Sequence, residues 1–234
     1  MRQFGEALSG WVMPVAPDRA VLEGRYARLE RLSVAHAAEL FSANAVDDRI
    51  WDYLPYGPFA DLAGYRAWVA SVAEGPDPCF YAILDKASGK ALGVASYLRI
   101  TPASGSIEVG HINYSAALQR TPAATEAMFL MMDWAFGAGY RRYEWKCDAL
   151  NLPSRRAAAR LGLSYEGVFR QATIYKGRNR DTAWFAAIDK EWPALKAAYE
   201  RWLDPGNFGA DGGQRESLGR LTRPLLVAVD PALG

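Results

Sequence analysis

The chain has 234 residues, half of them hydrophobic and 12% aromatic, with a formal net charge of +1. That is enough apolar material for one well-packed domain with an appendage, and it excludes global disorder. The near-neutral charge excludes an electrostatic footprint for nucleic acid, since Arg215, Arg220 and Arg223 are too few and too spread to make one. Cys79 and Cys147, with His36 and His111, show neither metal-ligand spacing nor a disulfide framework, so no metal is expected. The N-terminus lacks the apolar core of a signal peptide, and no window approaches the roughly 20 apolar residues of a membrane span. The expectation is a soluble, cytoplasmic protein with no membrane partner.

In chain order, residues 21–32 alternate as a strand. Helical spacing follows at Val34, Ala37, Leu40 and Phe41, capped by Ser33. An aromatic, turn-rich segment, RIWDYLPYGPF, leads into a second helix, ADLAGYRAWVASVAEG, that stops at Gly75-Pro76. Two strands, CFYAIL and ALGVASYLRI, flank the turn DKASGK, and GSIEVGHINYS is a third. A helix over 122–136 ends at Gly137 and Gly139. The strand YRRYEWKCDAL follows, then a short helix, NLPSRRAAARLG, with Asn151 near its start and Gly162 at its C-cap. Two strands around the turn KGRNRD close the pattern. Beyond them lie an amphipathic helix, EWPALKAAYERWL, a Gly/Asp-rich arm and a short apolar end.

The order β-α-α-β-β-β-α-β-α-β-β mixes an antiparallel meander with a βαβ unit, which makes the fold class α+β with a mixed sheet. The expected division is an N-terminal extension over 1–19, one domain over 20–190, and a helix with a Gly-rich arm over 191–234.

The stretch GHINYSAALQRTPAATEAMF carries the chemistry. A polar strand end runs into a turn, and a helix starts at Thr121-Pro122, as a phosphate-binding loop does where free N–H groups and the helix dipole attract an anion. With SIEVGHINY before helix 122–136 and NLPSRRAAARLGLSYEG after it, the chain resembles the GNAT superfamily of N-acetyltransferases, most of all its RimJ/RimL-type branch, over roughly residues 20–190. The resemblance implies an acyl-CoA N-acyltransferase fold. It also implies transfer of the acetyl group of acetyl-CoA to a primary amine, of a protein N-terminus or a small molecule, by direct attack in a ternary complex. The alternative is a CoA-binding sensor or interaction module without catalysis. A monomer or homodimer is expected.

The family holds the coenzyme pyrophosphate on a Q/R-x-x-G-x-G/A loop. Matching it places Gln119 first, Pro122 where the first glycine stands and Ala124 last. Pro122 offers no N–H but suits the first helical position. The amides of Gln119, Arg120, Thr121, Ala123, Ala124 and Thr125 are the expected cradle, helped by the Arg120 charge and the Thr121 hydroxyl. A main-chain N–H at Ile112 or Asn113 is the expected oxyanion donor, and mid-strand Gly110 fits a bulge that opens a gap for the pantetheine.

A carboxylate on a central strand is costly unless paired or working, so Glu108 is the first candidate base, with His111 the other. By alternation Glu108, Gly110, Ile112 and Tyr114 share one face, and His111 and Asn113 the other. Where many members place a tyrosine to protonate the leaving thiolate this chain has Ala158. Ser154 is the expected substitute, with Asn151 orienting the coenzyme. For the acceptor, Trp51, Tyr53 and Tyr56 are candidate walls, Asp48 or Asp52 a partner for the amine, and Tyr175 and Trp184 the opposite wall.

Overall fold

The computed structural model describes residues 2–18 and 20–234. Eight strands form one mixed sheet: β1 (Val21–Glu23), β2 (Ala27–Arg31), β3 (Cys79–Asp85), β4 (Lys90–Thr101), β5 (Ser106–Tyr114), β6 (Arg142–Asp148), β7 (Ser164–Tyr175) and β8 (Arg178–Ile188). They lie in the order β1-β2-β3-β4-β5-β6-β8-β7, and every neighbouring pair is antiparallel except β5–β6. Helix α3 (Pro122–Gly137) is the crossover that makes that one parallel pair. The fold is α+β, as its element order implies.

Alternation along the strands feeds two cores. On one face, Leu32, Phe80, Ala82 and Val94 bury with Leu40 of α1 (Ala37–Asn44), Tyr65 and Val69 of α2 (Leu62–Ala73), and Trp51. On the other, Tyr81, Tyr97, Ile107, Val109, Tyr143 and Phe185 bury against α3, α4 (Leu152–Arg160) and α5 (Trp192–Leu203). On the expectations drawn from the sequence, the first is labelled the acceptor face and the second the coenzyme face.

Residues 21–32 fold as two strands rather than the single one their alternation suggests. The cause is tertiary. The buried Glu126 carboxylate, on α3, receives the N–H groups of Arg25, Tyr26 and Ala27 at 2.9, 2.6 and 2.7 Å. Gly24 leaves room for it, since a Cβ there would collide with Oε2.

The C-terminal arm is docked on the domain. Asn207 ties its start by donating to Trp202 O and Glu216 O and accepting from Glu216 N. Helix α6 (Leu218–Thr222) buries Leu218, and Thr222 donates to Arg160 O at 2.9 Å. Arg155 of α4 then grips Asp230 through Nε and Nη2, at 2.6 and 2.5 Å, in a pair almost wholly out of water. Removing one partner of such a pair strands the other charge. Asp230→Ala is therefore expected to cost about 3–5 kcal/mol, read by chemical denaturation. A change under about 1 kcal/mol, as for an exposed pair, would refute this account.

Candidate active site

Strands β5 and β6 run in register only from Ser106↔Arg142 to Val109↔Trp145. Past that point both continue without pairing to each other, β5 to Tyr114 and β6 to Asp148, so the sheet opens into a gap. Across β5's other edge the register jumps from Ser96↔Gly110 to Val94↔Asn113. Two residues of β5, His111 and Ile112, stand opposite Ala95 alone. That is a bulge, and its left-handed residue is His111, with φ of 51°, not Gly110. Gly110 is small for another reason: a Cβ there would meet Leu98 at 2.8 Å.

The extra residue changes which side chains share a face. Glu108 and Gly110 are opposite Leu98 and Ser96, and Asn113 is opposite Val94, all on the acceptor face. His111 joins them, stacked on Tyr56 with centroids 5.6 Å apart and tilted against Phe80 at 5.0 Å. Ile112 and Tyr114 turn to the coenzyme face. Simple alternation, which put His111 and Asn113 opposite Glu108 and grouped Ile112 and Tyr114 with it, fails at the bulge.

Glu108 is fully engaged. Arg99 reaches its two oxygens at 2.7 and 2.8 Å, and Lys146 its Oε2 at 2.9 Å, with Glu144 on the far side of Lys146 at 2.7 Å. Its side chain is 3% exposed. Burial raises its pKa, and the Lys146 and Arg99 contacts oppose the rise. His111 donates or accepts at Nδ1 with the Tyr56 hydroxyl, 3.2 Å away, and its Nε2 has no hydrogen-bond partner among the described residues. Burial, then the positive charges of Arg99 and Arg180, lower its pKa to about 4, so it is a neutral imidazole at neutral pH. Asn113 buries its carboxamide to 1% exposure with neither polar atom paired among the described residues.

On the coenzyme face, α3 begins at Pro122 with Thr121 as its N-cap: the Thr121 hydroxyl accepts from Ala124 N at 3.1 Å and donates to Leu118 O. The six-amide cradle expected there is not all free. The N–H groups of Gln119, Thr121, Ala124 and Thr125 already bond to Ser115 O, Leu118 O, Thr121 Oγ1 and Thr121 O. Arg120, left-handed at φ of 64°, and Ala123 keep main-chain N–H groups without an acceptor among the described residues. The Gln119 side chain is turned back onto Tyr114 O. A residue that sequence reasoning missed stands beside them. Both terminal nitrogens of Arg160 reach Thr125 Oγ1 at 3.2 Å, its guanidinium lies over Trp202, and no carboxylate of the described residues pairs with it.

At α4, Asn151 Oδ1 caps Ser154 N at 3.1 Å. Ser154 Oγ accepts from Trp145 Nε1 at 3.0 Å, and its hydroxyl also interacts with the Cys147 thiol, opposing the rise in that thiol's pKa. The Cys147 thiol, also on this face, is pushed up to about 11 by burial and stays protonated. Ala158, on α4, is fully buried.

On the acceptor side, Trp51 is core, ringed by Tyr56, Phe59 and Tyr65. Asp48 and Asp52 are exposed. Two hydrogen bonds fasten this segment across the site, Tyr53 OH to Leu150 O and Lys176 Nζ to Trp51 O. Tyr175 donates to Asp148 at 2.8 Å, and the ring of Trp184 lies 3.8 Å from Lys146 Nζ.

The family model described as "Acetyltransferase (GNAT) domain" matches residues 27–164, more than half of the chain. The chain belongs to the GNAT acetyltransferase family. A GNAT from Brucella melitensis is 47% identical, with a TM-score of 0.90 over 92% of this chain and 99% of that one. A GNAT-family acetyltransferase from Chromobacterium violaceum is 42% identical, with a TM-score of 0.77 over 83% of this chain and 98% of that one. The microcin C7 self-immunity acetyltransferase MccE, solved with acetyl-CoA and AMP, shares the fold at 20% identity, with a TM-score of 0.63 over 70% of this chain and 93% of that one. No curated protein matches the chain. The chain is thus a GNAT acyltransferase, and among the described residues no helix is long and apolar enough to cross a membrane.

Proposed function

We propose that this GNAT protein transfers the acetyl group of acetyl-CoA to a primary amine by direct attack in a ternary complex. The observation that carries the reading is the gap between β5 and β6, with a bulge on one lip and two helix starts on the other side. The pantetheine lies in the gap. The Ile112 N–H, inside the bulge where the register skips, polarises the thioester carbonyl, with Asn113 N–H as the neighbouring donor. Arg120 N–H, Ala123 N–H and the Arg160 guanidinium hold the pyrophosphate, with Arg160 supplying the donor that Pro122 lacks.

The amine enters from the acceptor face beside His111. As the N–C bond forms, the nitrogen becomes cationic and strongly acidic, and His111 Nε2 takes its proton. That role needs the tautomer in which Nδ1–H donates to the Tyr56 oxygen. Glu108, with both oxygens held by Arg99 and Lys146, fixes the strand rather than moving the proton. The C–S bond breaks, and Ser154 Oγ–H protonates the thiolate. The RimJ/RimL-type placement belongs to the same reading, supported by the N-x-x-S block at Asn151 and Ser154, and a cytoplasmic site of action is proposed with it.

The test is thermal unfolding with and without acetyl-CoA. At a hundredfold excess over Kd, linkage adds about 2.7 kcal/mol of stability, and Arg160→Ala is expected to shrink that gain. No shift for the wild-type chain would sink the reading.

A further inference from the structure

The acceptor side of the gap carries a cation without an anion. Arg99 and Lys146 are neutralised by Glu108 and Glu144, Arg142 by Glu144 and Glu166, and Lys176 is spent on Trp51 O. Arg180 is different. It sits on β8 opposite Thr173, two residues before Thr182, which faces Asp148 across the sheet. By that register it shares the face of Lys146 and Glu108. Its Nε donates to Thr182 Oγ1 at 3.2 Å, and its guanidinium carbon lies 5.9 Å from the Tyr175 ring centre. Among the described residues Arg180 forms no ion pair with a carboxylate, although it is half-buried. The nearby Asp148 is occupied by the Tyr175 hydroxyl and by Leu150 N. Both terminal nitrogens of Arg180 are left as a planar fork with nothing to bind among the described residues. Its charge is felt at His111, where it helps to keep the imidazole neutral.

A half-buried guanidinium that its own protein does not neutralise is costly, and a ligand anion relieves that cost. A protein N-terminus carries a peptide bond where a free amino acid carries its carboxylate, so an anion on this fork selects the free amino acid. We propose that Arg180 binds a carboxylate of the acceptor, so that the acceptor is a small amino acid-type amine rather than a protein N-terminus. This rests on the acetyl transfer proposed above. The amine lies against His111 while its carboxylate lies on the Arg180 fork, which matches two carboxylate oxygens at once. The N–C bond forms as C–S breaks, the amine proton passes to His111, and an N-acetylamino acid and CoA leave.

The experiment follows CoA thiol release from acetyl-CoA with the twenty common amino acids, their carboxamides, and O-phosphoethanolamine as a phosphate-bearing amine. At least one amino acid is expected to exceed its own carboxamide by about 10- to 100-fold in kcat/KM, the worth of hydrogen bonds to a charged group. Arg180→Ala should raise KM for that amino acid by a similar factor, with a smaller loss for the carboxamide, and Arg180→Lys should recover part of the loss. Equal turnover of acids and amides, an equal fall in both with Arg180→Ala, or a preference for O-phosphoethanolamine would overturn the carboxylate assignment. If acetyl-CoA stabilises the protein and no amino acid is acetylated, the assignment is wrong while acetyl transfer stands. If acetyl-CoA gives no stabilisation, both fall.

Discussion

Glu126→Ala is expected to lower the stability of this protein by about 4 kcal/mol, because three main-chain donors lose their acceptor at once. The N–H groups of Arg25, Tyr26 and Ala27 converge on one carboxylate, and the turn between β1 and β2 offers them nothing else. For a chain of this size the drop amounts to roughly 8–16 °C in Tm. Glu126→Gln should cost less, since its one carbonyl oxygen can replace Oε2 and still receive Tyr26 and Ala27, leaving its NH2 against Arg25 N–H. Gly24→Ala should be damaging through the same group, because its Cβ would press on a carboxylate that three hydrogen bonds hold still. Differential scanning calorimetry of the three variants measures this, and a Glu126→Ala chain within about 2 °C of wild type would show, on the same scaling, that the turn finds its acceptors elsewhere. The interaction also bears on function, since Glu126 sits in the first turns of α3, just after Ala123.

The same carboxylate shows where reading a sequence stops. Elements such as α3, β3 and β4 are legible from their own residues for another reason than alternation: β3 and β4 are apolar runs buried on both faces and bounded by turn residues, and α3 is a long apolar segment that begins at its own cap. Pro122 at the first helical position with Thr121 before it is equally local. Glu126 is not local. Its partners are about a hundred residues earlier, and nothing near either segment signals the other. The bulge at His111 fails for a related reason. Whether a strand carries an extra residue depends on how its partner is registered, and β4 alone shows that Ala95 faces two residues of β5. One slip then moves His111 and Asn113 to the face of Glu108. Counting amides along the 119–125 loop overestimates the free donors, because Thr121 turns its hydroxyl inward to Ala124 N and Leu118 O. Arg160 and Arg180 stand out only once it is known which arginines lack carboxylates.

The bulge sets up the pH dependence that best tests the proposed chemistry. An acceptor amine must be neutral to attack, so kcat/KM rises with pH at a slope of one in logarithms until the amine's own pKa. A base of ordinary imidazole pKa would add a second unit of slope below about 6.5. His111 is held at about 4 by burial and by neighbouring arginines, so its active, neutral form persists down to that pH and is lost only as pH falls through it. Between about pH 5 and 7 the expected slope is therefore about one, not two. A bend to a slope of two near pH 6.5 would mean that the imidazole is not buried as described, or that another group carries the proton. The companion variant is His111→Asn, because asparagine tolerates the left-handed backbone at this position and so keeps the bulge. It is expected to lower kcat by about 10²- to 10⁴-fold, the range for loss of a positioned base. Full kcat in His111→Asn would return the proton to Glu108 through water. That would require Arg99 or Lys146 to let go of a carboxylate they hold at 2.7–2.9 Å.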